Sequence, residues 1–230
     1  AVEFLVGSVI CFGVPFGLVR AVGWVVSGFR KERTPAERLA DPLLARAEQG
    51  SATAQNELGV MYATTENDTE AVRWYRRAAD QGLAIAQFNL GFKYEKGEGV
   101  ALDAAEAVRW YLLAADQGLA GAQGNLGRMY DKGEGVPQDD AEAVRWYRLA
   151  ADQGDADAQY ILGLSYDLGR GVPLDDAEAV RWYRLAADQG YAVAQGNLGS
   201  MYGNGRGVPQ DDVEAHMWAN LAAAQSSGED

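Results

Sequence analysis

The sequence predicts an all-α fold, an α-α superhelical solenoid of about five two-helix repeats of 36 residues, preceded by an apolar N-terminal helix. Self-similarity at a fixed period of this size indicates a repeat architecture, because each short unit can bury its apolar faces only against its neighbours. The 16 residues from 139 to 154 recur without a change at 175 to 190. Tryptophan returns every 36 residues, at Trp74, Trp110, Trp146, Trp182 and Trp218.

Each repeat is predicted to hold two helices joined by a glycine-containing loop. In the unit from Leu119 to Gly154, the first helix is expected to end near Lys132 and the second to begin at Asp139. An acidic residue followed three positions later by Glu favours a helix start, because the first carboxylate can accept from free backbone amides. Glycine after the last helical turn suits a left-handed end. The start pairs are Asp103/Glu106, Asp139/Glu142, Asp175/Glu178 and Asp211/Glu214, and the end glycines are Gly82, Gly118, Gly154 and Gly190.

The first complete unit is shorter than the others. Only 12 residues separate Tyr62 from Trp74, and the Gly-x-Gly-Val loop of the later units is missing there. Asn67 with Glu70 is expected to supply the helix cap in its place. Upstream, residues 43 to 50 are similar to the end of a second helix. Terminal units of solenoids are usually atypical because they close the stack.

The repeated residues resemble the Sel-one-like repeat family, a relative of the tetratricopeptide repeat. The resemblance covers roughly residues 43 to 225 and implies a right-handed α-α superhelix that serves as an adaptor in protein complexes. Residues of this kind of motif are structural, so the resemblance implies no catalytic site. A cysteine-rich bacterial branch is linked to β-lactam binding, but its paired cysteines are absent from this chain, which has one cysteine. In one unit the pattern is carried by Ala84, Ala86, Gln87, Leu90, Gly91, Tyr94, Gly97, Gly99, Val100, Glu106, Ala107, Trp110, Tyr111, Ala114, Ala115 and Gly118.

The N-terminal segment, residues 1–34, differs from the solenoid predicted for residues 35–230. Residues 4 to 19 are uncharged, Arg20 interrupts, and a second apolar stretch reaches Phe29 before a basic cluster. We expect a single membrane span within residues 4–29, so the chain is predicted to be membrane-associated. The sequence does not decide on which side of the membrane the repeats lie. A cleaved signal and a helix packed on the end of the solenoid are the alternatives.

The charge of the chain is unevenly distributed. Residues 1–34 carry a net charge of +2, whereas the whole chain carries −13. An acidic body repels phosphate backbones, so we expect no nucleic-acid partner. It favours protein or peptide partners of basic or amphipathic character.

Several patterns could be taken for reactive or ligand-binding chemistry. The Gly-x-Gly-Val loops follow helices rather than strands, so a tight turn is favoured over phosphate binding. Paired acids such as Asp139 and Asp140 lack the alternation of a calcium loop, which favours helix capping. His216, the single histidine, and Cys11, the single cysteine, lie in no recognisable catalytic arrangement. The sequence therefore predicts a non-enzyme without metal or cofactor.

The positions that differ between units are the expected binding site. They lie on the first helices, opposite the repeated face, and by analogy with tetratricopeptide arrays they line the concave surface. The alternative is that they pack on the loop of the next unit or beneath the N-terminal segment. We refer to them as the first-helix arc: Ile85, Phe88, Phe92, Glu95, Arg128, Asp131, Asp157, Tyr160, Leu164 and Asp167.

These observations favour a protein- or peptide-binding adaptor scaffold, tethered to a membrane, that uses the concave surface. The rival hypothesis is a cell-envelope hydrolase or another enzyme built on a repeat scaffold, which predicts one pocket with converging, non-repeated polar groups. A purely structural spacer is the third possibility, and it predicts no partner.

Overall fold

A computed structural model describes residues 35–226 of the chain, and α-helices make up all the regular secondary structure of this range. The prediction of a repeat solenoid is confirmed. The helices are α1 Pro35–Glu48, α2 Ala52–Thr64, α3 Asp68–Asp80, α4 Ala84–Lys96, α5 Ala104–Asp116, α6 Ala120–Lys132, α7 Asp140–Asp152, α8 Ala156–Leu168, α9 Asp176–Asp188, α10 Ala192–Asn204 and α11 Asp212–Ser226.

The helices pair into five repeats. Repeat 1 is α2 with α3, repeat 2 is α4 with α5, repeat 3 is α6 with α7, repeat 4 is α8 with α9, and repeat 5 is α10 with α11. The second helix of each repeat also packs on the first helix of the next, and we call each such contact a junction. Helix α1 packs on α2 at the start of the stack.

Acidic caps start the second helices at the predicted places. The Asp139 carboxylate accepts from the backbone amides of Ala141 and Glu142, both at 3.0 Å, and Asp175 repeats these contacts. Asn67 occupies the predicted N-cap position of α3, and its carbonyl accepts from the Ala71 amide at 3.0 Å, but its side chain makes no capping bond. The short connection turns instead at Glu66, whose φ is 58°, and the Asn67 amide donates back to the Tyr62 carbonyl at 3.0 Å.

The core is a series of apolar clusters, one at each junction. At the junction of repeats 2 and 3, alanines of α5 pack with Leu126 and Met129 of α6, and Trp146 of α7 covers them. Trp182 is only 2% exposed and occupies the same place one repeat later. Each cluster therefore joins three helices, which explains the strict spacing of tryptophan.

A ladder of glutamine side chains runs beside these clusters. The Gln123 side-chain amide donates to the Ala115 carbonyl at the end of α5, at 3.1 Å. Its own carbonyl accepts from Gln153, which follows α7, at 2.7 Å. The same two bonds recur one repeat later through Gln159 and Gln189. Each buried amide thus satisfies a helix-terminal carbonyl of the preceding repeat and connects three helices.

The loops between first and second helices need glycine for close approach. Gly135 has a φ of 73°, and a Cβ placed there would lie 2.3 Å from the Ala104 carbonyl oxygen of the preceding repeat. Gly99 and Gly207 have equivalent positions against Asp68 and Asp176. The loop therefore lies directly on the start of the preceding second helix, which explains the pattern without any bound phosphate.

The predicted membrane segment, residues 4–29, and Cys11 lie outside the described residues. Within residues 35–226, none of the helices combines the length and apolar character that crossing a bilayer requires.

Candidate partner-binding surface

The structure places the first-helix arc on three consecutive first helices. Helix α4 carries its first four members, α6 carries the next two, and α8 carries the last four. Helices α4 and α6 adjoin on this side, because Arg128 pairs with Glu95 and Gly121 lies beside Phe88.

Helix α4 presents an apolar stripe. Ile85 and Phe92 are 41% and 38% exposed, and half-buried Phe88 lies between them at helical spacing. The Phe88 ring stands 5.7 Å from the ring of Tyr111. The Lys96 ammonium lies 5.4 Å from the centre of the Phe92 ring. Exposed large apolar side chains in a row are typical of contact surfaces.

Helix α6 provides a gap beside this stripe. Gly124 occupies the position that holds Phe88 on α4 and Tyr160 on α8, and a Cβ at Gly124 would meet no atom within 4 Å. Gly121, one turn earlier, faces the edge of the Phe88 ring. We call this feature the α6 groove. Gly121 and Gly124 are its floor, Phe88 of α4 lines one side, and Tyr160 holds the equivalent position on α8, the next first helix.

The Tyr160 side chain is fixed by its neighbours. Its ring lies 6.0 Å from that of Tyr183 and 5.2 Å from that of Tyr191. Exposed Asp157 accepts a hydrogen bond from Tyr191, which with burial raises the pKa of this tyrosine to about 12. An aromatic cluster with fixed hydroxyls offers a rigid contact surface, which loses little entropy on binding.

The acidic members of the arc are less available than predicted. The side chains of Glu95 and Asp167 are only 10% and 16% exposed, so the expectation of exposure is wrong for them. Glu95 accepts from the Tyr111 hydroxyl at 2.9 Å and pairs with Arg128 at 2.7 Å. Burial alone would raise the pKa of Glu95, but the bonds from Lys96 and Tyr111 and the charge of Arg128 lower it.

The next unit's loop contacts this part of the arc, as the alternative interpretation predicted. Asp131 pairs with Arg170 at 3.0 Å, and Asp167 pairs with Arg206 at 2.6 Å. Both arginines occupy the variable position of a Gly-x-Gly-Val loop, where Glu98 and Glu134 stand in repeats 2 and 3. Sequence reasoning missed these partners, although the change of charge at this loop position was a visible signal.

Two features considered for reactive chemistry can be located in the described residues. His216 lies exposed on α11, in agreement with an ordinary helix residue. Across residues 35–226 there is no cluster of three or more histidine, cysteine or acidic side chains able to hold a metal ion.

Comparison with known proteins decides the family. Five consecutive Sel1 repeats match, at residues 52–83, 84–119, 120–155, 156–191 and 192–227. The chain belongs to the Sel1 repeat family. No curated protein sequence matches the chain.

Solved structures of other Sel1 repeat proteins agree with this assignment. The chain is similar to a protective antigen with an SLR fold from uropathogenic Escherichia coli, with 39% identity and a TM-score of 0.79. That match covers 81% of this chain and 41% of the antigen, so the chain spans less than half of the antigen's length. A Sel1 repeat protein from Oxalobacter formigenes is also 39% identical, with a TM-score of 0.70, and the match covers 77% of this chain and 72% of that one.

Membership carries a general role. Sel1 repeat proteins are typically protein-interaction scaffolds without catalytic activity, which agrees with the adaptor prediction at this level. The fold suits such a role, because a stack of helices offers an extended surface whose outward residues can vary without disturbing the junctions.

Proposed function

We propose that this Sel1 repeat protein is an adaptor that binds a protein or peptide partner in the α6 groove and along the first-helix arc. The observation that carries the proposal is the exposed apolar stripe of α4, with Ile85 and Phe92, beside a groove floored by glycine. Phe88 packs against the junction core beside Tyr111, whereas Ile85 and Phe92 are exposed and take no part in the clusters on either side of α4.

The shape of the groove favours an amphipathic segment. Apolar side chains of a partner helix can lie against Phe88 and Tyr160, while the missing side chains at Gly121 and Gly124 leave room for its backbone. Burial of a few aromatic anchors supplies most of the affinity in interfaces of this kind.

Charge favours a basic partner. The chain carries a net charge of −13, and Asp157 is an exposed acidic member of the arc. Basic residues flanking the apolar positions of a partner would be attracted at long range, which accelerates association at low salt.

Filling the groove tests the proposal without weakening the fold. Gly124→Trp introduces a large side chain into open space on a helix, where replacing glycine raises helix propensity. Gly196→Trp is the matched control, because it occupies the equivalent position on α10 and also faces open space. Binders selected from a displayed library of basic amphipathic peptides should bind Gly124→Trp about tenfold more weakly. Equal affinities for Gly124→Trp and the unaltered chain would contradict the proposal.

Removing the apolar stripe gives a second test. Phe88→Ser with Phe92→Ser should lower partner recovery in pull-downs from cells that produce the protein, because two aromatic anchors are lost. Circular dichroism serves as the control for folding. Unchanged recovery at unchanged helicity would remove the α4 stripe from the binding surface.

The proposal extends to location. The absence of charge over residues 4–19 supports a membrane tether within residues 1–34 that holds the solenoid of residues 35–230 near the bilayer. The full chain should float with liposomes, and Ile10→Arg should abolish flotation because it places a charge in the apolar stretch. Flotation of both proteins, or of neither, would contradict the tether.

A further inference from the structure

A small cavity opens at the junction of repeats 3 and 4. Its volume is about 130 Å³. This is room for about four water molecules or a short chain of heavy atoms. We call it the junction cavity, and its lining comprises Asp131, Asp140, Ala143, Val144, Tyr147, Ile161, Leu164, Ser165 and Arg170.

Two substitutions within the repeat pattern create this space. Ile161 stands where the flanking repeats have Asn125 and Asn197. Ser165 stands where they have Met129 and Met201, which are buried in their junction cores. The smaller serine leaves unfilled volume, and isoleucine removes a polar partner. The cavity is thus a local departure from a junction that is otherwise repeated.

The tyrosine of this junction shows what the departure removes. Tyr111 and Tyr183, in the adjacent repeats, donate to Glu95 and Asp167. They also hydrogen-bond to Asn125 and Asn197, the counterparts of Ile161. Tyr147 lies only 4% exposed, and within the described part of the chain its hydroxyl makes no hydrogen bond. The Tyr147 hydroxyl opens into the cavity, where water or a guest can hydrogen-bond to it.

The charges around the cavity select the guest. Arg170 lies 3.0 Å from Asp131 and 3.9 Å from Asp140, so among the residues that line the cavity two carboxylates share one guanidinium, a net charge of −1. Arg128 also acts on Tyr147, but it is paired with Glu95 and Glu134. An anion would face two carboxylates, and an apolar group would leave the Tyr147 hydroxyl unsatisfied. The Ser165 hydroxyl donates to the Ile161 carbonyl, which leaves the serine oxygen able to accept.

We infer that the junction cavity binds an alkylammonium group, such as the lysine side chain of a protein partner. The aliphatic stem lies against Val144, Ile161 and Leu164, and the ammonium donates to Asp131, Asp140 and the Tyr147 oxygen. Burial and the charge of Asp131 raise the pKa of Tyr147, so its hydroxyl is neutral at physiological pH and its oxygen accepts. The inference rests on the proposed function for the source of the lysine, since Leu164 and Asp131 belong to both sites.

Small probes test the cavity without knowledge of the partner. Titration of the full chain with n-butylammonium, followed by amide chemical shifts, should saturate at millimolar concentration and move the signals of Tyr147, Ile161 and Leu164. n-Butanol and butyrate are the matched neutral and anionic probes, and each should bind about tenfold more weakly. No saturable shift with n-butylammonium, or equal shifts with all three probes, would overturn the inference.

Restoring the repeat pattern gives the decisive variant. Ile161→Asn with Ser165→Met installs the residues of the flanking repeats, so the protein should fold, fill the cavity and lose n-butylammonium binding. Ile161→Leu is the control that keeps an apolar wall and should retain binding within about threefold. Undiminished binding to the filled variant would overturn the assignment.

The two proposals fail separately. If Gly124→Trp loses peptide binding but still binds n-butylammonium, both the adaptor proposal and the cavity inference are supported. If no peptide binds the α6 groove while the probe saturates, the adaptor proposal fails and the cavity remains. If peptides bind but the probe does not, the cavity inference alone is wrong.

Discussion

The two halves of the solenoid close their junctions with opposite charges. In repeats 2 and 3 the variable loop residue is acidic, and Glu98 and Glu134 accept from Lys93 and Arg128 of their own first helices. In repeats 4 and 5 it is basic, and Arg170 and Arg206 reach back to acids of the preceding repeat. The backbone of the loop is the same in both halves. Each junction therefore requires that the loop backbone lies close to the preceding repeat and that the charge of the loop residue is neutralised. The loop residue itself can be acidic or basic.

The start of the preceding second helix explains this exchange. The first residue of the second helix is aspartate in repeats 1, 3 and 4, where it is Asp68, Asp140 and Asp176, but it is Ala104 in repeat 2. Glu134 faces the alanine, so it meets no like charge there. Glu98 faces Asp68, and buried Lys93 contacts both carboxylates at 2.6 Å. Although burial would lower the pKa of Lys93, the bonds to Asp68 and Glu98 raise it.

The largest expected effect tests the part that both halves share. Gly99→Ala and Gly207→Ala each place a Cβ within 2.3 Å of the backbone of the preceding repeat, at a positive φ. Each should lower the free energy of unfolding by about 3 kcal/mol or more, measured by urea denaturation. Gly154→Ala is the control, because Gly154 also has a positive φ but a Cβ there would meet no atom within 4 Å. Its free energy of unfolding should fall by about 1 kcal/mol. If only one of the two substitutions, Gly99→Ala or Gly207→Ala, lowered the free energy of unfolding, the loops of the two halves would not be equivalent.

Lys93→Met should have the next largest effect, in the N-terminal half only. Methionine is the residue of repeats 3 and 5 at this position, so packing is preserved while two facing carboxylates lose their cation. The expected loss is about 2 kcal/mol in urea denaturation. Adding Glu98→Arg recreates the combination of repeat 5 and should restore about half of the loss. A double variant no more stable than Lys93→Met would refute the idea that only charge compensation is required.

The acid dependence of stability should distinguish Glu95. The folded-state pKa of Glu95 is lowered, so its stabilisation is present above the ordinary value of 4.5 and is lost as the pH falls through the folded pKa. Glu95→Gln should cost about 1 kcal/mol at pH 7, and the difference from the unaltered chain should shrink below about pH 4. Thermal unfolding across this range measures it. A difference independent of pH would assign the loss to packing.

Arg206→Gln should have the smallest effect. Its side chain is 43% exposed, so the pairs with Asp167 and Asp176 are screened by solvent despite their short distances. The expected loss is about 0.5 kcal/mol by thermal unfolding at low salt, and it should vanish in about 1 M salt. Persistence at high salt would indicate a contribution other than the ion pairs.

The sequence predicted the fold because its signals are local and repeated. Tryptophan spacing, acidic caps and terminal glycines each indicate the position of one helix or one turn. Because the pattern occurs in five copies, a departure in one copy does not change the predicted fold. One part failed, the side-chain bond expected of the cap at Asn67. It lies in the short connection of repeat 1, where the backbone turns at Glu66.

The candidate site was harder to predict because it depends on contacts between repeats. Arg206 meets Asp167 across 39 residues, and nothing in the helical period of either helix indicates that meeting. The groove floor at Gly124 and the cavity at Ser165 arise from side chains that are small or missing. Only a comparison of equivalent positions between repeats could have revealed them.

The unchanged block of 16 residues gives the chain a way to alter its length. Deleting residues 139–174 would join Gln138 to Asp175 and leave the same helix in the same reading frame, one unit shorter. Arg206 would then face Asp131 instead of Asp167, and the glutamine ladder would lose one rung while staying continuous. The junction cavity would disappear with Ile161 and Ser165. Recombination between the identical stretches would thus change the ligands that the protein can bind while preserving the contacts between its repeats.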